Sequence, residues 1–440
     1  MKVLLTHCYT DKNKGDAAII IATTQLIRAV CQDAEIHMMS TFEAKDPQFR
    51  TEHELISRFC NKLHPALFGQ PTKFMHFSSD SMRIISFIIS VMKGILLLAS
   101  PSLVRKPFFT EEELYAFKTF VTADVIVSKG GSYLTTQNTS IRQLLSFITM
   151  LFPFLLAKRY RKKILIFSQS LGPVCGALQK KLFHLILKNC NHVFLRERFC
   201  LESYPEVAKL CNEVRCDIIP DSAFAFDISN VEFDELKLKN QAELNIGLTV
   251  VDHAFKYISC DVERSAKRDN YFNALVSLIS FITKAGGTIH IFPQVTVANS
   301  HKGFTDTSFA KKIVSHFDGT PFVNSVVFYD KELTPFELKA AYSKMDAFVG
   351  TRLHSVIFSL SSYVPAINIS YHGTKSRGIF NQLTGSDEFV LDIDSIDPDQ
   401  LIRVVKKALS NRGAISKKLE KDIAVAQEKL LQAMKVALSN

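Results

Sequence analysis

The sequence predicts an α/β protein of two doubly wound domains, and three observations carry that prediction. At 440 residues the chain exceeds one ordinary domain and suits two. Short runs rich in Val, Ile and Phe alternate with longer stretches of helical periodicity, the pattern of parallel βαβ units. A charged stretch without strand character, residues 228–243, interrupts the alternation and marks a boundary.

Taken in order, VLLTH (3–7) reads as a strand, AAIIIATTQLIRAV (17–30) as a helix and AEIHMMS (34–40) as the next strand. Further strands are expected at 124–130, 163–170 and 192–197, then after the boundary at 244–250, 288–295, 326–330, 347–351 and 366–370. The expected domains are therefore residues 1–240 and 241–396. A helical segment, 397–440, caps the fold and packs back across the first domain. In doubly wound sheets ligands sit where strands run out into helices, so the loops after the strands are searched for chemistry.

Hydrophobic residues make up 47% of the chain and charged residues 22%, which excludes disorder over most of it. The formal net charge of +10 favours acidic partners, whether nucleic acid, an anionic membrane surface or phosphorylated substrates. The basic residues are scattered and no zinc-finger or RNA-recognition signature occurs, so nucleic acid is not expected as a partner. The nine cysteines include no C-x-x-C pair, which argues against a disulfide framework or a structural zinc and for reduced thiols. The N-terminus turns polar after four strand-like residues, too soon for a signal peptide, so a cytoplasmic location is expected.

Two apolar stretches need a decision. Residues 84–104 are long enough to span a bilayer but carry Lys93 near the middle, which costs about 2.5–3.5 kcal/mol on insertion, and Pro101 near the end. Residues 144–157 are too short to span and run into the basic segment KRYRKK. Both fit core helices, and both fit helices lying in the membrane interface with basic flanks toward anionic headgroups.

The chemistry-bearing residues cluster at strand ends. After the first strand, Asn13, Gly15 and Asp16 form a turn in which Asp16 can cap a helix starting near Ala17. The same helix end could offer its N–H groups to a phosphate or carboxylate. Gly130 and Gly131 follow another strand, where they make either a plain turn or a close backbone approach to an anion or sugar hydroxyl. Gln169 and Arg196 end two more strands. Neither a dinucleotide fingerprint, a P-loop, a metal motif nor a Ser-nucleophile elbow is present, so no cofactor or metal is expected.

The strongest local signal is DAFVGTRLHSVIFSL. A strand ends at Gly350 and a helix begins near Leu353, with Arg352 and His354 at the junction. Arg352 brings a planar fork suited to carboxylate or phosphate, and His354 can take or give a proton near neutral pH. Lys375 follows the next strand and adds a cation.

Read together, NKGDAAI, KGGSYL, QSLGPV, RERFCLES, PDSAFAF and GTRLHSVIFSLSSYVPAINISYHGTKSRG resemble, in order and spacing, the polysaccharide pyruvyl transferase family. The chain departs from the family pattern at Ser132, Glu197 and Ser222, where glycine, Asp and Pro are more usual. The resemblance implies two Rossmann-like domains in a glycosyltransferase-B-like arrangement. It also implies transfer of a pyruvyl group from phosphoenolpyruvate, a co-substrate rather than a cofactor, to a sugar of a cell-surface or exopolysaccharide precursor. On that reading Arg196, Arg352 and Lys375 hold the donor's charges, His354 is the acid/base and Arg352 stabilises the leaving phosphate. Asn13, Gly15, Asp16, Gly130, Gly131 and Gln169 are then substrate-binding, and a lipid-linked acceptor gives the apolar stretches an interfacial purpose. Two other readings remain open: a nucleotide-sugar glycosyltransferase of the same architecture, and a non-catalytic glycan-binding relative.

Overall fold

The computed structural model describes residues 1–69, 80–99, 102, 104–229, 244–296, 306–371 and 374–439. It divides into two units. Unit 1 comprises Met1–Asp11, Asp16–Phe226 and Glu428–Asn440, and unit 2 comprises Lys12–Gly15 and Asp227–Gln427. Two expected boundaries therefore differ. The division falls at Phe226–Asp227 rather than at residue 240, and most of the expected linker (230–243) lies outside the described residues. The C-terminal segment is not a unit of its own: it groups with unit 2 up to Gln427 and with unit 1 from Glu428.

The first elements are β1 (Lys2–Cys8), α1 (Lys14–Val30), β2 (Glu35–Ser40), α2 (Pro47–Thr51), β3 (Lys62–His64), α3 (Asp80–Ala99) and α4 (Glu111–Thr122). They are followed by β4 (Val125–Ser128), α5 (Ile141–Arg159), β5 (Lys163–Gln169), α6 (Ala177–Leu187), β6 (His192–Leu195), α7 (Phe199–Ser203), α8 (Pro205–Glu213) and β7 (Cys216–Ile218). The seven strands form one parallel sheet in the order β3-β2-β1-β4-β5-β6-β7, whose winding reverses between β1 and β4. Its central strands are buried on both faces, as near-continuous apolar runs such as KILIF require. The expected strands at 3–7, 34–40, 124–130, 163–170 and 192–197 are all present. The two edge strands, β3 and β7, went unpredicted because three residues carry too little pattern.

Unit 2 contains β8 (Asn245–Thr249), α9 (Asp261–Lys284), β9 (Thr288–Ile291), α10 (Asp306–Ser315), β10 (Val326–Phe328), α11 (Pro335–Tyr342) and β11 (Ala347–Gly350). It continues with α12 (Leu353–Leu360), β12 (Ala366–Ser370), α13 (Thr374–Thr384), β13 (Val390–Asp392) and α14 (Pro398–Ser410); α15 (Arg412–Leu438) closes the chain. Its parallel sheet runs β10-β9-β8-β11-β12-β13, so the winding again reverses, here between β8 and β11. The core gathers Leu248, Leu275, Ile279, Ile291, Val349, Ile369 and Val405 between sheet and helices.

The two apolar stretches resolve differently. α5 is nineteen residues long, so the expectation that it is too short to span fails on length. It is nonetheless a core helix, since Phe147, Leu151, Phe152, Phe154 and Leu156 are buried in unit 1. Pro153 removes the N–H that would pair with the Thr149 carbonyl, and in the same turn the carbonyl of Met150 accepts from His7 Nε2 at 2.9 Å. α3 ends at Ala99; Pro101 lies outside the described residues. Lys93, the charge that argued against insertion, is tied to Glu113 of α4 at 2.7 and 2.8 Å.

The thiols also depart from expectation at one pair. Cys211 and Cys216 are joined across the short link from α8 to β7, where their Cα atoms lie 5.3 Å apart. The other seven cysteines are free thiols.

His7 sits in the left-handed region (φ 64°) at the end of β1, stacked on Tyr133 and Phe154. Because Nε2 donates to the Met150 carbonyl, Nδ1 is left to accept from the hydroxyls of Thr6 and Ser128. Burial holds the imidazole down to about 4, outweighing the carbonyl bond that favours the charged form. The unfolded chain titrates this group at the ordinary 6.5, so it binds more protons than the folded chain between pH 6.5 and 4. Thermal stability should therefore fall as pH is lowered through that window. In His7→Asn, a side chain that tolerates positive φ, the slope of melting temperature against pH should shrink by up to one proton's worth. An unchanged slope would contradict the buried neutral state.

Candidate functional site

The reversal point of unit 2 is where side chains of opposite chemistry converge. β11 ends at Gly350, whose carbonyl accepts from Asn368 Nδ2 of β12 at 2.8 Å. Thr351 follows, fixed by the Tyr271 hydroxyl at 2.8 Å, and the chain then turns into α12. Ser355 clamps that turn: its hydroxyl lies 2.6 Å from the Arg352 carbonyl and 2.6 Å from the Thr249 hydroxyl at the end of β8. Arg352 and His354 thus leave a junction braced from strands β8 and β12 and helix α9.

The guanidinium of Arg352 is held as a fork. Nε and Nη2 donate to the two carboxylate oxygens of Asp306, at 3.1 and 2.5 Å, and Nη1 donates to the Tyr371 hydroxyl at 2.9 Å. Asp306 opens α10 and is fully buried, while the Arg352 side chain keeps 23% of its surface exposed. Burial opposes the charge on Arg352, but Tyr371 and Asp306 outweigh it and keep the group fully protonated. A guanidinium has five N–H bonds, and three are used here, so its open edge can still receive an oxyanion. His253, after β8, lies against Tyr371 with ring centroids 5.3 Å apart, and burial lowers its affinity for a proton.

His354 occupies the first turn of α12 and packs on Gly15 so closely that any Cβ at position 15 would overlap the imidazole ring. This corrects the expected turn at residues 13–16. α1 begins at Lys14, so Gly15 lies inside the helix, Asp16 does not cap it, and Asn13 makes a bridge with Val295. Lys12–Gly15 group with unit 2 rather than with the N-terminal domain. Lys12 and Lys14 both bind Glu332, at 2.7 and 2.8 Å, and against the effect of burial they hold its carboxyl down to about 2. Lys375 lies half-buried in the first turn of α13.

The remaining predicted residues lie in unit 1. Asp16 is ion-paired to buried Lys129. Gly130 leaves no room for a side chain, since a Cβ there would stand 2.7 Å from the Ser168 carbonyl. Gly131 bridges to Gln169, which is fully buried. Arg196 differs from the expectation of a donor-binding cation. It is 4% exposed, with Nε 2.7 Å from Ser170 Oγ and Nη1 2.7 Å from Asp221, so its fork braces the strand ends from within. The structure thus brings Arg352, His354, Gly15 and Asn13 together in unit 2, and places Asp16, Gly130, Gly131, Gln169 and Arg196 in unit 1. Asp306, Tyr371 and His253 were missed. A Tyr directly after the strand AINIS was the one available signal, whereas nothing local distinguishes Asp306. No group of His, Cys, Asp and Glu suited to a metal occurs among the described residues.

A family model described as polysaccharide pyruvyl transferase matches residues 13–373. The chain belongs to this family. As a polysaccharide pyruvyl transferase family member it is a glycan-modifying transferase. It is 24% identical to the amylovoran biosynthesis protein AmsJ of Erwinia amylovora, over 98% of this chain and 97% of that protein. Solved structures with the same fold include the UDP-GlcNAc 2-epimerase of Neisseria meningitidis bound to UDP-GlcNAc (TM-score 0.55, 11% identity, 100% and 99% of the two chains covered). A glycosyltransferase from Rickettsia africae is similar at TM-score 0.53, with 11% identity and the same coverage. These likenesses establish two doubly wound units of the kind found in glycosyltransferase-B proteins.

The Gly15–His354 contact yields a direct test. In a helix interior Ala normally gains up to about 1 kcal/mol over Gly. Gly15→Ala should instead lose roughly 1–3 kcal/mol, because the ring or the helix must move. Gly413→Ala, at a position of α15 with open space around it, should be neutral or stabilising. Chemical denaturation of the two variants checks the contrast.

Proposed function

We propose that the chain transfers the pyruvyl group of phosphoenolpyruvate to two hydroxyls of a sugar in a cell-surface or exopolysaccharide precursor, forming a ketal. The observation that carries this reading is Arg352, held charged and forked by Asp306 and Tyr371 two residues before His354 at a strand-to-helix junction. Family membership supplies the chemistry class.

Phosphoenolpyruvate presents a carboxylate and a phosphate, and the reaction separates them. A proton goes to the methylene carbon, which becomes the methyl group, and one sugar hydroxyl adds to the neighbouring carbon. Phosphate then leaves with the enol oxygen, and the second hydroxyl closes the ketal. The two hydroxyl protons balance the one consumed and the one gained by phosphate. His354 is assigned the proton delivered to the methylene carbon. The open edge of Arg352 is assigned the developing charge on the phosphate, where a preorganised cation contributes most. Lys375 is a second cation for the donor. Asn13 and Gly15 shape the His354 side of the site, while Asp16, Gly130, Gly131 and Gln169 are assigned to the acceptor sugar or to holding the strand ends that meet it. Arg196 keeps a bracing role, because it is buried among its partners Ser170 and Asp221.

Incubation with phosphoenolpyruvate and a glycan precursor should release inorganic phosphate and add a pyruvyl ketal to the glycan by mass. Turnover with a nucleotide sugar and none with phosphoenolpyruvate would replace this reading with glycosyl transfer. His354→Ala should lower kcat by roughly 10²–10⁴-fold with the fold intact. Arg352→Lys should raise KM for phosphoenolpyruvate and lower kcat together, since an ammonium cannot bridge Asp306, Tyr371 and an oxyanion in one plane. Full activity in His354→Ala would sink the assigned acid.

A further inference from the structure

α3 shows water an apolar face. Ile85, Ile88, Ile89, Met92 and Ile95 are 56, 50, 47, 59 and 60% exposed. Their spacing of three, four, seven and ten residues from Ile85 places them on one stripe, about 15 Å long at the helical rise. Behind that stripe, Ser90, Gly94 and Leu97 pack inward against unit 1. The single charge between Ile84 and Ala99, Lys93, turns away from the stripe to Glu113. Scattered apolar side chains on a surface need no explanation, but a contiguous uncharged row of this size on a charged protein does.

The surroundings of the helix say what covers it. Its C-terminal end is gripped by the basic end of α5: Arg159 donates to the carbonyls of Leu98 and Ala99 at 2.7 and 2.8 Å, and the Tyr160 hydroxyl to that of Leu97 at 2.7 Å. Lys158 and Arg161 flank this grip and are exposed, as is Arg105 beyond the helix. Phe108 stands 54% exposed near that cation. The neighbouring carboxylates are already committed: Glu111 to Lys106, Glu113 to Lys93 and Glu43 to Lys45. An uncharged apolar stripe ending in a cluster of cations is complementary to a surface that is apolar below and anionic above.

We infer that α3 docks this protein on an anionic phospholipid bilayer, lying in the interface with its isoleucine stripe in the acyl boundary and the Lys158–Arg161 cluster at the headgroups. The contact is peripheral, since the opposite face of α3 stays packed on unit 1. It holds whatever donor the enzyme uses, because its readout is binding and not turnover.

Co-sedimentation of the full chain with vesicles tests it. At low salt the protein should pellet with vesicles rich in phosphatidylglycerol and remain in solution with pure phosphatidylcholine, and high salt should weaken the binding. Ile88→Glu combined with Met92→Glu should reduce the bound fraction about tenfold or more, with an unchanged melting temperature because both side chains are exposed. Lys158→Glu with Arg161→Glu should weaken binding to the anionic vesicles while leaving the stripe untouched. The inference is overturned if the wild-type chain does not bind anionic vesicles, or if the stripe variant binds as well as wild type. It is equally overturned if the chain is a dimer without lipid that the stripe substitutions dissociate, since the stripe would then be an interface between copies.

Discussion

The pair between Arg352 and Asp306 is the interaction on which the unit 2 site depends. Withdrawing a carboxylate fully from water is costly, and the cost is recovered only if its oxygens are met by well-aligned donors. Two parallel N–H bonds from one planar group meet that demand, and the Tyr371 hydroxyl takes a third donor and sets the rotation of the fork. Once fixed in this way, the guanidinium cannot swing to follow a ligand. An anion must come to it, so the site is organised before binding and little ordering is left to be done on arrival.

The backbone beneath the fork is equally determined. Gly350, Thr351 and Ser355 are tied to β12, α9 and β8 by hydrogen bonds, so the first turn of α12 is positioned by three other elements. His354 inherits that rigidity and meets Gly15 at van der Waals limits. The same logic appears at the strand ends of unit 1, where Arg196 binds both Asp221 and Ser170 in the interior. The two arginines that the sequence offers as equivalent cations are thus used differently. One is sealed within the protein as a brace, and the other keeps an edge toward solvent.

Exposure separates the two apolar helices in a similar way. α5 and α3 have comparable composition, yet α5 turns its aromatic residues into the core and α3 turns its isoleucines outward. Each carries a feature that composition alone reads as a defect, Pro153 in α5 and Lys93 in α3, and each feature lies beside a contact from another element. His7 takes up the Met150 carbonyl beside the proline, and Glu113 neutralises the lysine.

By itself the sequence determined the alternation of strands and helices, the two-unit architecture and the placement of Arg352 and His354 at a strand end. These are written in short-range periodicity and in residues adjacent along the chain, which sterics and burial convert directly into local structure. Family membership was legible too, because ordered motifs survive in sequence even where each is weak. The tertiary structure alone decided that Lys12–Gly15 belong with the second unit, that Arg196 is already engaged, and that Asp306, Tyr371 and His253 join the site. Each of those outcomes rests on a pairing between residues of different elements, from 19 to 320 positions apart. Local pattern holds no record of such partners, because what selects them is the desolvation of charge in a particular packed environment.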